Sequence, residues 1–123
     1  MKPHLFHFRI AYADTDAGGI AYHARYVEIA ERARLDMLAD APGANGTLIV
    51  RGLSIKYIKP LRLADRFAVE TRMVGAGAAT VDLEQKFIKD GADHAVMRIT
   101  LAHIDGDMKP AKTPPGLLAF FAA

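Results

Sequence analysis

Asp14-Thr15-Asp16-Ala17-Gly18-Gly19-Ile20-Ala21-Tyr22-His23 joins a strand-like segment to a helix-like one. Two acids, a Gly-Gly pair and a His lie together at the point where the residue pattern changes period. The glycines permit backbone conformations closed to other residues. Upstream, Phe6, Phe8, Ile10 and Tyr12 keep a period of two and predict a strand from Leu5 to Tyr12. Downstream, Tyr26, Ile29, Ala30, Ala33, Met37 and Leu38 recur at spacings of three and four and predict a helix from about Tyr22 to Asp40. Glu28 with Arg32, and Glu31 with Arg34, have the spacing of charge pairs on its other face. Pro42-Gly43 ends the helix, and Ala44-Asn45-Gly46-Thr47 continues as loop.

The remainder reads as sheet. Leu53, Ile55 and Tyr57 alternate, with Ile58 following, until Pro60 stops the run. Phe67, Val69, Thr71 and Met73 share one face of a strand from Asp65 to Val74. Gly75 to Ala78 marks a turn. Val81, Leu83, Gln85 and Phe87 oppose Asp82, Glu84 and Lys86 in a strand from Thr80 to Lys89. Asp90-Gly91 is a hairpin signal, and Ala95, Met97, Ile99 and Leu101 alternate beyond it until Asp105-Gly106-Asp107. After Lys112-Thr113-Pro114-Pro115-Gly116 comes a short apolar tail, Leu117 to Phe121. Hairpin-length connections imply an antiparallel sheet, and one long helix on its face makes an α+β domain. Ala24, Val27 and Leu35 lie off the main helical stripe, which fits a helix gripped by a curved sheet.

Composition removes several classes of chemistry. The chain has no Cys, so disulfides, thiolate metal sites and a Cys nucleophile are out, and a cytoplasmic location is compatible. His and Arg interrupt the first nine residues, unlike a signal peptide, and no stretch is apolar enough to span a membrane. The net charge of +2 comes from scattered basic residues, which demands no nucleic-acid partner and suits a phosphorylated small ligand. Asp14-x-Asp16 is no EF-hand, because Arg25 stands where the bidentate Glu is needed. His4, His7 and His23 lack metal-ligand spacing, and Gly75-Ala76-Gly77 lacks the Lys and Ser/Thr of a phosphate loop.

The run from Asp14 to Tyr26, followed by Glu31-Arg32-Ala33-Arg34, resembles the signature of the 4-hydroxybenzoyl-CoA thioesterase family, which are hotdog-fold acyl-CoA thioesterases. The resemblance extends along nearly the whole chain. Pro60 to Asp65 matches the turn before the second long strand, and the Pro114 region matches the C-terminal ending. It implies one hotdog domain over residues 1–123, with a five-stranded antiparallel sheet wrapped around one long helix. It further implies a homodimer or homotetramer with the active site at the dimer interface, and an acyl-CoA or acyl carrier protein substrate. No metal or redox cofactor is implied, since coenzyme A is part of the substrate.

Thioester hydrolysis needs a group that attacks the carbonyl or activates water, and a group that holds the charge developing on oxygen. A carboxylate does the first; the unpaired N–H groups of a helix start do the second. By the family pattern, Asp16 matches the catalytic carboxylate, as nucleophile or general base. His23 matches the helix-start position whose backbone N–H polarises the carbonyl, with the N–H groups from Tyr22 to Ala24 as candidate oxyanion donors. Asp14 is expected to hold the turn, and Gly19 to allow close approach of the ligand. Tyr22 and Glu31 match substrate-side positions, while Tyr26, Leu53, Ile55 and Tyr57 are candidate walls of the acyl pocket. Some relatives carry a basic cluster near the turn before the fourth strand for the coenzyme A phosphates; this chain has Gly75-Ala76-Gly77-Ala78-Ala79 there. Lys56, Lys59, Arg62, Lys86, Lys89 and Arg98 are the cations available instead. Alternatives within the same residue set are a hotdog enoyl-CoA hydratase or dehydratase using His23 and Glu31, and a non-catalytic acyl-binding protein.

Overall fold

A computed structural model describes residues 2–42 and 48–122 of the chain. The strands are β1 (His4–Arg9), β2 (Leu48–Tyr57), β3 (Arg66–Ala76), β4 (Thr80–Lys89) and β5 (Ala92–His103), and the helices are α1 (His23–Leu38) and α2 (Pro115–Ala122). All five strands form one antiparallel sheet in the order β1-β3-β4-β5-β2. The α+β class and the five-stranded antiparallel sheet agree with expectation. The single helix does not, because the tail read as merely apolar is α2. Its Leu117 and Phe121 lie four residues apart and are fully buried, so tertiary burial stabilises a helix too short to stand alone.

The core lies between α1 and one sheet face. Tyr26, Ile29, Ala30, Ala33 and Met37 from the helix meet Val69, Val81, Leu83, Phe87, Met97 and Ile99 from the strands. Every inward position expected for β4 and β5 is buried, because alternation along a half-covered strand puts one residue in two against the core. Asp90 and Gly91 both have positive φ, the conformation their two-residue hairpin requires.

Local expectations failed where long-range contacts took over. The first strand ends at Arg9 rather than Tyr12, and Tyr12–Asp14 is a 3₁₀ turn. Ile10 is buried and exchanges backbone hydrogen bonds with Asp65 and Ala64, which swings the chain away and leaves Tyr12 exposed. β2 begins at Leu48, earlier than the Leu53 alternation indicated, because Leu48, Ile49 and Val50 also pair with β5. The helix ends at Leu38. The loop reading from Gly43 to Thr47 lies outside the described residues.

Charge pairing on α1 also differs. Glu28 pairs with Arg25 rather than Arg32. Arg34 is buried instead of facing solvent with Glu31, and its Nη1 donates to Gln85 Oε1 at 2.9 Å. Gln85 Nε2 donates onward to Ala30 O (3.0 Å) and Thr71 Oγ1 (3.1 Å). This network explains a glutamine at a fully buried strand position, since each of its polar atoms is satisfied. Burial lowers the Arg34 guanidinium from its ordinary pKa, while the Glu31 charge opposes that shift.

Asp65 closes the turn between β2 and β3. Burial alone would raise its carboxyl pKa, but the Arg62 N–H at 2.7 Å, Lys89 Nζ at 3.3 Å and the charge of His94 hold it below the usual value. A depressed folded-state pKa means that the unfolded chain takes up the proton first. The stabilisation is therefore present above the unfolded value of about 3.9 and is lost as pH falls through the lower folded value. Thermal unfolding followed against pH should show a shallower acid limb below about pH 4 in Asp65→Asn than in wild type. Parallel acid limbs would remove Asp65 from the linkage.

Candidate active site

The Asp14–His23 stretch folds as a miniature hairpin. Thr15 bridges Ala21, the Asp16 N–H donates to Ile20 O at 2.9 Å, and the Gly19 N–H donates to Asp16 O at 3.1 Å. Gly19 has φ +76°, a left-handed conformation that favours glycine, and a Cβ there would meet nothing within 4 Å. Its requirement is thus conformational rather than steric. The hairpin is fastened to the β2–β3 turn by Ala21 N–H to Leu61 O (2.7 Å) and Leu63 N–H to Gly19 O (3.1 Å).

The two acids take different parts. Asp14 Oδ2 accepts the Ala11 N–H at 2.9 Å, its main-chain oxygen accepts the Tyr22 N–H at 2.8 Å, and Arg25 stands 3.6 Å from its Oδ1. Those are the bonds of a structural residue. Asp16 is exposed, and its Oδ1 accepts the Gly18 N–H at 2.8 Å. Its Oδ2 accepts no hydrogen bond from the described residues and stays open for chemistry.

The helix start leaves two donors open. Tyr22 precedes the helix but makes no side-chain cap, and the Arg25 N–H donates to Tyr22 O at 2.8 Å. Among the described residues, the His23 and Ala24 N–H groups have no backbone acceptor. The Tyr22 N–H is committed to Asp14, which narrows the expected donor set by one.

Asp16 and His23 line one groove of about 470 Å³ with Ile20, Ala21, Tyr26, Tyr57, Ile58, Lys59 and Pro60. The Tyr57 hydroxyl donates to His23 O at 2.7 Å, tying β2 to the first helical turn. The Tyr26 and Tyr57 rings meet edge to face at 5.1 Å, and the Tyr26 hydroxyl accepts the Leu61 N–H at 3.3 Å. Burial raises both phenol pKa values; for Tyr57, Tyr26 adds to the shift. Tyr22 is half-exposed, with its ring 4.4 Å from that of His23, and it does not line the groove. Glu31 is exposed further along α1, also outside the groove. Ile20, Ala21, Ile58 and Pro60 carry no chemical signal that would mark them as lining in the sequence, and Lys59 reads there only as a cation.

A sheet with a helix on one face, and a carboxylate beside an uncapped helix start, define a class of protein. A family model described as "Thioesterase-like superfamily" matches residues 10–121, and the chain belongs to that family of hotdog-fold thioesterases. It is 34% identical over 125 residues to an acyl-CoA thioesterase named YbgC from Haemophilus influenzae, covering 94% of this chain and 92% of that one. It is 30% identical to an acyl-CoA thioester hydrolase, also YbgC, from an Escherichia coli strain, covering 92% and 91%. A probable thioesterase from Bartonella henselae superposes with a TM-score of 0.81 at 29% identity, covering 91% and 99%.

Proposed function

We propose that this protein is an acyl-CoA thioesterase that hydrolyses a thioester to the free acid and coenzyme A. The observation that carries the reading is that Asp16 and His23, the first residue of α1, line one groove together with the apolar Ile20, Ala21, Ile58 and Pro60. Asp16 acts as nucleophile or as the base that takes a proton from water. The new C–O bond forms at the carbonyl carbon, the helix-start N–H groups hold the oxyanion, and the C–S bond breaks as the thiolate leaves to be protonated; on the nucleophilic route water then cleaves the acyl–Asp16 anhydride, releasing the acid and restoring the carboxylate. This chemistry uses no resident metal or redox cofactor. Tyr26 and Tyr57 form the acyl wall, and Lys59 lies at the groove as a cation for the coenzyme A phosphates.

A second copy of the chain completes the site in this reading. β2 is an edge strand with Ile49, Val50, Leu53 and Tyr57 each at least 40% exposed, an apolar edge of the kind that proteins cover. Glu31 and Tyr22, outside the groove of one copy, are then available to the substrate held by two. Acyl carrier protein remains an alternative carrier of the acyl group, and the cytoplasm is the proposed location; among the described residues no helix is long and apolar enough to cross a membrane.

Free-thiol release from a panel of aromatic and short aliphatic acyl-CoA substrates tests the activity. Turnover on at least one substrate is expected; acyl-CoA binding without thiol release would overturn it. Light scattering on the eluting protein should give a dimer or tetramer, and a stable monomer would sink the shared site.

A further inference from the structure

We propose that Arg9 and Arg66 form an anion site on the outer face of the sheet, away from the Asp16 groove, that takes a phosphate-type oxyanion. The two residues are directly opposite each other in the β1–β3 ladder, and both are exposed. Phe8 and Phe67 alternate with them and turn to the core side, so Arg9 and Arg66 share the other face with His7, Ala68 and Ile88. Like charges directly opposite across a ladder repel. Together with Lys89 and Asp90 these residues line a groove of about 590 Å³.

The pairing pattern around this corner singles it out. Across β3, β4 and β5, Arg72 meets Glu70, Arg98 meets Glu84, Lys86 meets Asp93, and Lys89 is held between Asp65 and Asp90. Arg66 is the one cation of those three strands with no acid partner among the described residues. Arg9 spends its Nε on Ala64 O at 3.3 Å and has no carboxylate partner among the described residues either. Asp90, the acid in the groove, is engaged with Lys89 at 3.9 Å and otherwise faces solvent. Two guanidinium forks without a counter-ion, over an apolar floor of Ala68 and Ile88, suit an oxyanion with several acceptor oxygens. A dianionic phosphate between them would convert the repulsion into two sets of charge-assisted hydrogen bonds.

Inorganic pyrophosphate is the probe, titrated at ionic strength matched with chloride and followed by calorimetry and by Tm. Saturable binding to wild type is expected, with a rise in Tm. Arg9→Gln and Arg66→Gln should each weaken it about tenfold or more, the worth of one charge-assisted contact. Arg32→Gln, which removes an exposed helix cation elsewhere, should leave affinity within about twofold, as expected for a distant independent site. In low salt without pyrophosphate, Arg66→Gln should raise Tm by removing the repulsion. Equal weakening in all three variants, or no response beyond the chloride control, would overturn the site, as would a lower Tm of unliganded Arg66→Gln. Adenosine 3′,5′-bisphosphate and phosphatidic acid vesicles, compared in the same variants, separate a soluble nucleotide source from a lipid headgroup; an Arg66-dependent response to either supports the proposal.

Discussion

Asp16→Asn should lower the rate of acyl-CoA hydrolysis by about 10²-fold or more, about 2.7 kcal/mol of transition-state stabilisation. The substitution is informative because it separates chemistry from folding. Asp16 Oδ1 accepts the Gly18 N–H, and an asparagine keeps that acceptor, so the turn and the hairpin survive. What disappears is the open Oδ2, replaced by an amide that neither attacks a carbonyl nor takes a proton from water. Thiol release under saturating substrate, set beside Tm and circular dichroism of the same preparation, measures both parts. Unchanged Tm with the rate lost places Asp16 in the reaction. Full activity in Asp16→Asn ends the assignment. Asp16→Ala also deletes the turn acceptor, so a larger fall in Tm is expected from it than from the asparagine.

Phe87→Ala should cost about 3–5 kcal/mol of stability, a large share of what a domain of this size possesses. Phe87 is fully buried in β4, between the rings of Tyr26 at 5.2 Å and Phe67 at 5.9 Å. Truncation leaves a cavity bounded by helix on one side and sheet on the other, where neither relaxes easily. Urea unfolding of both proteins measures the difference. Because Tyr26 also forms a wall of the groove, activity should fall as well, with KM affected more than in Asp16→Asn. A loss under about 1 kcal/mol would mean that the neighbours close the gap, and that Phe87 does not brace the site.

The candidate site was legible in part. Asp14, Asp16, Gly19 and His23 sit within one short segment, and local turn chemistry brings them together as their spacing implied. A turn-holding Asp14 was also foreseeable, though its bonds to Ala11 and Tyr22 were not. The opposite wall was harder. Tyr57 is a candidate wall residue because its strand faces the helix, but nothing local announces that its hydroxyl reaches His23 O. Ile58 and Pro60 look like ordinary strand-end residues. Arg34 shows the converse: its spacing from Glu31 fitted a surface pair, but the helix rotates it towards Gln85, and burial with a hydrogen bond prevailed over exposure with a weak ion pair.

The sequence by itself determined the elements whose signal is local. The alternation of β3, β4 and β5, the stripe of α1, the Asp90-Gly91 turn and the acid–glycine–helix motif all follow from residue periods and φ preferences that act within a few positions. Tertiary structure decided what distant segments must settle between them. The order β1-β3-β4-β5-β2 sets Arg9 opposite Arg66, carries β2 to the far edge, and brings Tyr57 to Pro60 alongside His23. It also turned the C-terminal tail into α2. These outcomes depend on which faces bury each other across the chain, an energy that no window of a few residues contains.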